Sequence, residues 1–183
     1  MNKVHLIFKS LSHIVGNEDI GLLLLSDEKE ERQITIPCDK NMLHEFGLRM
    51  KNVPITPNLL PEALWQMLRI QGKTDYEILI FGINDGLYQC ILTNCETLDS
   101  VSLRASDAVL LSFIAKIDIF IEDGLFQRQC LPYPKESQGV SLPVNAISTQ
   151  MLQTALDNAV EDENYELASQ IRDELRKREN KHS

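Results

Sequence analysis

The sequence predicts an α+β domain, with a mostly antiparallel or mixed sheet and packed helices, followed by a C-terminal α-helical hairpin. Over the first 130 residues, apolar side chains alternate with period two in several segments, as in half-buried strands. Helical periodicity occurs between groups of these segments rather than after each one, which favours antiparallel pairing over a regular βαβ alternation. A Pro-containing stretch then precedes two short amphipathic segments.

Alternating or continuous apolar runs bounded by turn residues predict the strands. In the first run, Val4, Leu6 and Phe8 share one face. Asn84-Asp85-Gly86 lies between two runs and is a strong hairpin signal. A further turn is expected at residues 16–19. The expected strands are residues 4–8, 20–25, 33–37, 76–83, 87–93, 101–103 and 117–121.

Apolar residues at helical spacing predict the helices of the domain. The first is expected to begin after an Asp39 cap and to end before the prolines at 54 and 57. The next is expected to place Leu60, Leu64, Met67 and Leu68 on one stripe. Further helices are expected at residues 106–115 and 122–129. We therefore divide the chain into an α+β domain at 1–130, a linker at 131–146 and a hairpin at 147–183.

Composition limits the function classes. The net charge is −9, and the acidic excess is spread over both parts of the chain. Nucleic-acid binders usually carry a basic face, so charge does not support nucleic acid as a partner, although a bound divalent metal offsets charge locally. The four cysteines form no CxxC pair and are expected to be reduced and mostly buried. With no signal sequence or membrane-spanning apolar run, we expect a cytoplasmic protein.

The C-terminal hairpin is expected to bury one face of each helix. Leu152, Leu156 and Ala159 mark the first face, extended by Val160, and Tyr165, Ala168, Ile171 and Leu175 mark the second. Helices this short are marginal alone. The hairpin should therefore gain stability from a protein partner or a second copy; the alternative is that it folds back on its own domain.

Two elements of the hairpin carry a family resemblance. Tyr-Glu-x-Ala at 165–168 is followed by Ile-Arg-Asp-Glu at 171–174. This spacing resembles the UVR motif, the helical hairpin that mediates protein contacts in the excision-repair subunits UvrB and UvrC. The resemblance implies a protein partner bound through Tyr165, Ala168, Ile171, Arg172 and Asp173.

The main domain carries a second resemblance. Residues 101–113 read Val-Ser-Leu-Arg-Ala-Ser-Asp-Ala-Val-Leu-Leu-Ser-Phe, which resembles the signature Asp-Ala-Arg-Pro-Ser-Asp-Ala-Ile-Ala-Leu-Ala of the bifunctional nuclease family. The hairpin residues at 85–88 also fit. The resemblance covers about residues 4–130 and implies an α+β fold, a homodimer, and cleavage of DNA and RNA. UVR motifs follow such domains in known architectures.

The candidate site lies at the start of this segment. Arg104 leaves a strand, Ser106 is expected to cap the next helix, and Asp107 lies in its first turn. Exposed amides and a guanidinium suit a phosphate oxygen, so Arg104 and Ser106 are the substrate-binding candidates. The alternative is structural: a helix cap with a local ion pair between Arg104 and Asp107. Phosphodiester hydrolysis commonly uses a carboxylate-bound divalent metal. The candidates are Asp107 as catalytic residue, Asp107 and Asp85 as Mg or Mn ligands, and Asp39 as a further nearby carboxylate.

The chain departs from the family pattern at several polar positions. The family's usual arginine and histidine correspond to Val53 and Pro57, and a glutamate corresponds to Met42. In the signature itself, Ser102 replaces the first aspartate and Ala105 the proline. Two functions therefore remain open: a metal-dependent DNA/RNA phosphodiesterase carrying a protein-binding hairpin, or a catalytically reduced scaffold or regulatory protein that binds a partner through that hairpin.

Overall fold

The computed structural model describes residues 2–14, 17–133, 149–161 and 163–179. Its strands are β1 Lys3–Ile14, β2 Asn17–Asp27, β3 Arg32–Asp39, β4 Tyr76–Asn84, β5 Leu87–Asn94, β6 Ser100–Arg104, β7 Asp118–Glu122 and β8 Leu131–Pro132. Its helices are α1 Lys40–Met50, α2 Leu60–Ile70, α3 Ala105–Ala115, α4 Asp123–Gln129, α5 Thr149–Glu161 and α6 Tyr165–Glu179, with a 3-10 turn at Thr56–Asn58.

The strands of the described residues form one sheet in the order β6-β5-β4-β7-β1-β2-β3-β8. The β4–β7 pair is parallel and the other neighbouring pairs are antiparallel. The predicted mixed α+β domain with a C-terminal helical hairpin is thereby confirmed. The predicted turn between β4 and β5 is also confirmed: Asp85 and Gly86 have φ of 48° and 71°, the two positive values that a type I′ hairpin turn requires.

The core lies between the sheet and helices α1, α3 and α4. Strand β2 is buried on both faces between Ile20 and Leu25, as its continuous apolar run predicts. Phe8 from β1 stacks on Phe46 of α1, with ring centroids 5.1 Å apart, and meets the edge of Phe113 from α3. The largest fully buried core side chains include Phe46, Phe126, Leu23, Leu25, Ile34, Ile36, Ile78, Ile80 and Ile121.

Several strand boundaries differ from the sequence prediction. Strand β1, expected at residues 4–8, runs to Ile14. The expected turn at residues 16–19 is wrong at residues 17–19, which already belong to β2, where Asn17 pairs with Ile14. A register shift lies between His13 and Ile14, an irregularity that alternation does not reveal. Leu131 and Pro132, placed in the linker from the sequence, form β8 against β3. Proline is tolerated there because β8 is an edge strand. Residues 134–146 of the predicted linker lie outside the described residues.

Helix α2 is oriented differently from the sequence prediction. Leu60, Leu64 and Met67 are more than half exposed, Ile70 is 85% exposed, and only Leu68 of the predicted stripe is half-buried. An apolar stripe on a helix usually faces the core, whereas most of this one faces outward. The opposite face is held by Trp65, whose ring meets Tyr76 edge-on at 6.3 Å, and by an ion-pair network. We name the exposed side chains Leu60, Leu64, Met67 and Ile70 the α2 stripe.

The ion-pair network joins α1 to α2 through Arg49. This buried guanidinium donates from Nε and Nη2 to the two carboxylate oxygens of Glu62, each at 2.8 Å. Its Nη1 donates to the Glu45 carboxylate at 2.7 Å. Burial opposes the charge of Arg49, but the hydrogen bonds that it donates to Glu62 and Glu45 outweigh burial and raise its pKa. No local sequence pattern signals this anchor. The ion pairs of Arg49 explain why the polar side of α2 faces the domain.

The hairpin helices pack through a small apolar seam. Leu152, Ala159, Ala168 and Ile171 are buried, with Leu156 and Leu175 partly buried beside them. Val160 and Tyr165 are instead exposed, so their predicted place in the seam is wrong. Both lie next to the interhelical turn, where the small residues Ala159 and Ala168 already make the contact. Across the described residues, no helix has the length and apolar character needed to cross a membrane.

Candidate functional site

A cleft of about 820 Å³ opens where the ends of β3 and β6 meet the start of α3 and the β4–β5 turn. Apolar side chains such as Phe81, Leu87 and Leu103 form part of its walls. The polar side chains that line it are Asp39, Asn84, Gln89, Ser102, Arg104, Ser106, Gln150 and Thr154. Residues from the β3, β5 and β6 strands and from two helices thus converge on one concave surface, the usual form of a ligand site.

Arg104 is the centre of charge in this cleft. It ends β6 in an extended conformation (φ −66°, ψ 142°) immediately before α3. Its Nε and Nη2 donate to Oδ2 and Oδ1 of Asp107 at 2.6 and 3.1 Å, and its Nη1 donates to Oδ2 of Asp39 at 3.3 Å. The hydrogen bond to Asp107 is the main reason why the pKa of Arg104 is raised. The local ion pair expected between Arg104 and Asp107 is present.

Asp39 reaches this site through its position as the cap of α1. Its Oδ1 accepts a hydrogen bond from the Met42 amide at 2.9 Å, which confirms the predicted cap, while its Oδ2 faces Arg104. The starts of α1 and α3, which are distant in the sequence, therefore bring two carboxylates to one guanidinium. We name Asp39, Arg104 and Asp107 the Arg104 triad.

Ser106 does not cap α3. The helix begins at Ala105, Arg104 occupies the cap position, and no side-chain hydrogen bond caps this helix in the described structure. The prediction was wrong because Ser106 lies inside the first turn, where it is buried in the wall of the cleft. Asp107 supplies the negative charge that favours the helix N-terminus.

Asp85 lies at the tip of the β4–β5 turn. Its Oδ1 accepts a hydrogen bond from the Thr149 hydroxyl, the first residue of α5, at 2.8 Å. Its neighbours Asn84 and Gly86 line the cleft. Within the described ranges, no three His, Cys, Asp or Glu side chains are grouped as metal ligands. A metal site shared by Asp85 and Asp107 stays a prediction. The hydrogen bonds of Arg104 instead connect Asp107 to Asp39.

The inner wall of the cleft holds a phenol and two thiols. Burial raises the pKa of Tyr88, and its buried hydroxyl has no hydrogen-bond partner among the described residues. Burial, and next the charge of Asp39, raises the pKa of Cys38 to about 12. Burial and the charge of Asp107 raise that of Cys90 to about 11. Thiolate is the nucleophilic form, so these protonated thiols are structural.

The departures from the family pattern fall at two places. Pro57, which replaces the family's histidine, lines a second cleft together with Lys116, just after the last residue of α3. The Arg104 triad lies at the other end of α3, roughly 15 Å away for a helix of 11 residues. Met42, which replaces a glutamate, is buried next to Asp39. Thus the substitution at Met42 adjoins the triad, whereas that at Pro57 does not.

The predicted partner-binding residues divide into two groups. Ala168 and Ile171 are buried in the seam of the hairpin, so they hold the two helices together. Tyr165, Arg172 and Asp173 are exposed on α6. The motif by itself does not separate residues that build the hairpin from those on its surface, so the sequence alone predicts all five as contacts.

Comparison with known families agrees with this architecture. The model of the bifunctional nuclease domain matches residues 23–133, the part that contains the Arg104 triad and most of the residues that line the cleft. The model of the UvrB/uvrC motif matches residues 151–181, which covers most of the hairpin. A search of curated proteins found no match. The chain belongs to the bifunctional nuclease domain family and carries a UvrB/uvrC motif after that domain.

Proposed function

We propose that this chain is a nuclease that binds a phosphodiester of DNA or RNA in the cleft at the Arg104 triad. One observation carries the proposal: Asp39 and Arg104 line a cleft in a bifunctional nuclease domain, and Arg104 binds the carboxylates of both Asp39 and Asp107. The first-turn amides of α3 adjoin Arg104, and such amides favour an anionic ligand.

The donor set of the triad fits a divalent cation such as Mg²⁺ or Mn²⁺. Oxygens of Asp39 and Asp107 lie at 3.3 and 2.6 Å from the same guanidinium, so both carboxylates face one cationic group. Mg²⁺ is usually held by one or two carboxylates together with substrate phosphates. When bound, such a cation neutralises charge on the phosphate and activates a water. Asp39 and Asp107 would hold it, and Arg104 would orient a phosphate oxygen.

The test is a cleavage assay on labelled single-stranded DNA and RNA with Mg²⁺ or Mn²⁺. Asp107→Asn keeps the size of the side chain and removes its charge, so we expect cleavage to be lost in this variant. Glu96→Gln is the matched control, because Glu96 is exposed in the β5–β6 turn and does not line the cleft. No cleavage by the parent protein, or equal cleavage by the Asp107 variant, would exclude this function.

A second candidate function is protein binding through the hairpin. It is favoured by the exposed positions of Tyr165, Arg172 and Asp173, three motif residues that the hairpin does not use for its own packing. In this function the domain serves as a scaffold or regulator. A candidate partner should lose affinity for Tyr165→Ala and Arg172→Ala but not for Lys177→Ala, a change at another exposed position of α6. Equal affinity for all three variants would reject it.

We also propose that the chain forms a homodimer through the α2 stripe. Four large apolar side chains in a row on one exposed helix face form a contiguous patch, which is uncommon on monomers. Sedimentation of the parent should give a dimer and Leu64→Lys a monomer. Leu98→Lys is the control, since Leu98 is an exposed apolar residue in the β5–β6 turn. A monomeric parent would refute the proposal.

A further inference from the structure

The first helix of the hairpin is fixed to the bifunctional nuclease domain beside the cleft. Thr149, the first residue of α5, donates its hydroxyl to Asp85 at 2.8 Å. Asp85 occupies the tip of a tight turn with positive φ, so this acceptor is held by the backbone of the β4–β5 hairpin. Helix α5 also contacts β2. The β4–β5 turn and strand β2 therefore both contact this helix.

Two side chains of α5 reach the cleft itself. Gln150 and Thr154 are four residues apart, hence on the same face of the helix, and both line the cleft. The Thr154 hydroxyl donates to the Gln150 carbonyl at 3.2 Å, which orients the side chain along this face. The amide of Gln150 and the hydroxyl of Thr154 add polar groups to the cleft that the domain alone does not supply.

The opposite wall of the cleft supplies a separate sign of a ligand. Tyr88 is 6% exposed and lines the cleft, yet its hydroxyl has no partner among the described residues. A buried hydroxyl without a hydrogen bond is unfavourable. A polar ligand in the cleft would satisfy it once the atoms that cover the hydroxyl shift. Phe81, which also lines the cleft and is partly exposed, offers an apolar face of the kind on which bases of single strands stack.

We infer that the binding site is composite: Gln150 and Thr154 of the hairpin contact the single-stranded nucleic acid held at Arg104, together with the domain. The inference rests on the proposed nuclease function and assigns part of its binding site to the UvrB/uvrC motif. A consequence follows for regulation. A protein that binds the hairpin and shifts α5 changes the affinity of the cleft for the single-stranded nucleic acid. By linkage, the bound nucleic acid changes the affinity of the hairpin for that protein by the same factor.

The test uses the full chain and a fluorescein-labelled eight-nucleotide thymidine strand, with Ca²⁺ in place of Mn²⁺ and anisotropy as the readout. Thr154→Trp fills the cleft from the α5 side, so its Kd should rise at least tenfold. Gln153→Trp is the matched control. Gln153 is exposed and adjacent, but it points about 100° away around the helix and does not line the cleft. Its Kd should stay within twofold of the parent. Equal Kd values for the two variants would overturn the inference.

A second measurement tests, without any ligand, whether α5 is docked on the β4–β5 turn as the composite site requires. Hydrogen exchange at residues 84–88 should become faster in Thr149→Val, which keeps the shape of the side chain and removes the hydroxyl donor to Asp85. Unchanged exchange there would mean that α5 does not form this wall. If the parent protein does not bind the oligonucleotide, the proposed nuclease function is rejected independently of this inference. The exchange result then still decides whether the cleft is shared with the hairpin.

Discussion

The guanidinium of Arg104 holds the carboxylate of Asp107 by two hydrogen bonds, at 2.6 and 3.1 Å, across the junction of β6 and α3. The Arg104 side chain is 64% exposed and that of Asp107 is 40% exposed. Exposed ion pairs contribute little to folding. The planar donor fork of Arg104, which binds the Asp107 carboxylate here, has the geometry that suits an oxyanion, so we propose that this pair serves ligand binding more than stability.

Replacing Arg104 should separate these two roles. In Arg104→Gln, the free energy of unfolding should change by less than about 1 kcal/mol, because the pair is exposed. Affinity for the single strand should fall, because the charged donor fork for phosphate is lost. Urea unfolding and anisotropy measure the two quantities on the same sample. A large loss of stability with unchanged affinity would show that the pair is structural.

The buried Arg49 network should respond in the opposite way. Arg49→Met leaves the largely buried carboxylate of Glu62 without its bidentate partner. Removing one member of such a pair costs about 3–5 kcal/mol. We expect a loss in that range in urea unfolding, and partial recovery in the double variant Arg49→Met/Glu62→Met. Arg69→Met, at an exposed position of α2, is the control and should be nearly neutral.

Alkaline pH should weaken the domain through its two buried thiols. The pKa values of Cys38 and Cys90 are raised from 9.0 to about 12 and 11. Above pH 9 the unfolded chain ionises these thiols while the folded chain keeps them protonated, so the free energy of unfolding falls. Their contribution is complete below pH 9 and is lost as pH rises through 11 to 12. Urea unfolding between pH 8 and 11 should show a shallower decline in Cys38→Ala/Cys90→Ala; parallel curves would refute this explanation.

The hairpin residues should divide between folding and contact. Ile171→Ala empties part of a small seam, and such truncations cost about 2–5 kcal/mol. The helices at residues 149–179 should therefore be less stable, and hydrogen exchange measures this loss of helicity. Tyr165→Ala should leave exchange unchanged because the ring is 69% exposed. If Tyr165→Ala unfolds the hairpin and speeds hydrogen exchange as Ile171→Ala does, the assignment of Tyr165 to a contact surface is wrong.

Much of the fold could be predicted because local patterns carry it. The Asn84-Asp85-Gly86 turn, the Asp39 cap and the buried run of β2 each follow from a short stretch of sequence. The orientation of α2 could not be predicted, since the Arg49–Glu62 pair that decides it joins residues thirteen positions apart. Hydrophobic periodicity alone points the α2 stripe toward the core, whereas the ion pair and Trp65 turn it outward.

The site was predicted in part for the same reason. Arg104 and Asp107 are three residues apart, so their pairing follows from local geometry. Asp39 joins them from 65 residues away, a contact that depends on where the ends of β3 and β6 meet. The contribution of α5 to the cleft is still more distant in sequence. No pattern within the hairpin distinguishes Thr149 from an ordinary first residue of a helix.

Cleavage of a single strand as a function of Mn²⁺ concentration, compared between the parent and Asp39→Asn, tests the central claim most directly. Asparagine also caps helices well, so this change preserves α1 and removes the charge that faces Arg104. We predict a loss of at least about tenfold in cleavage rate or apparent Mn²⁺ affinity. Asp123→Asn, which changes the first-turn aspartate of α4 outside the cleft, should match the parent. Equal curves for all three proteins, or no cleavage by the parent at any Mn²⁺ concentration, would contradict the assignment of the Arg104 triad as a nuclease site.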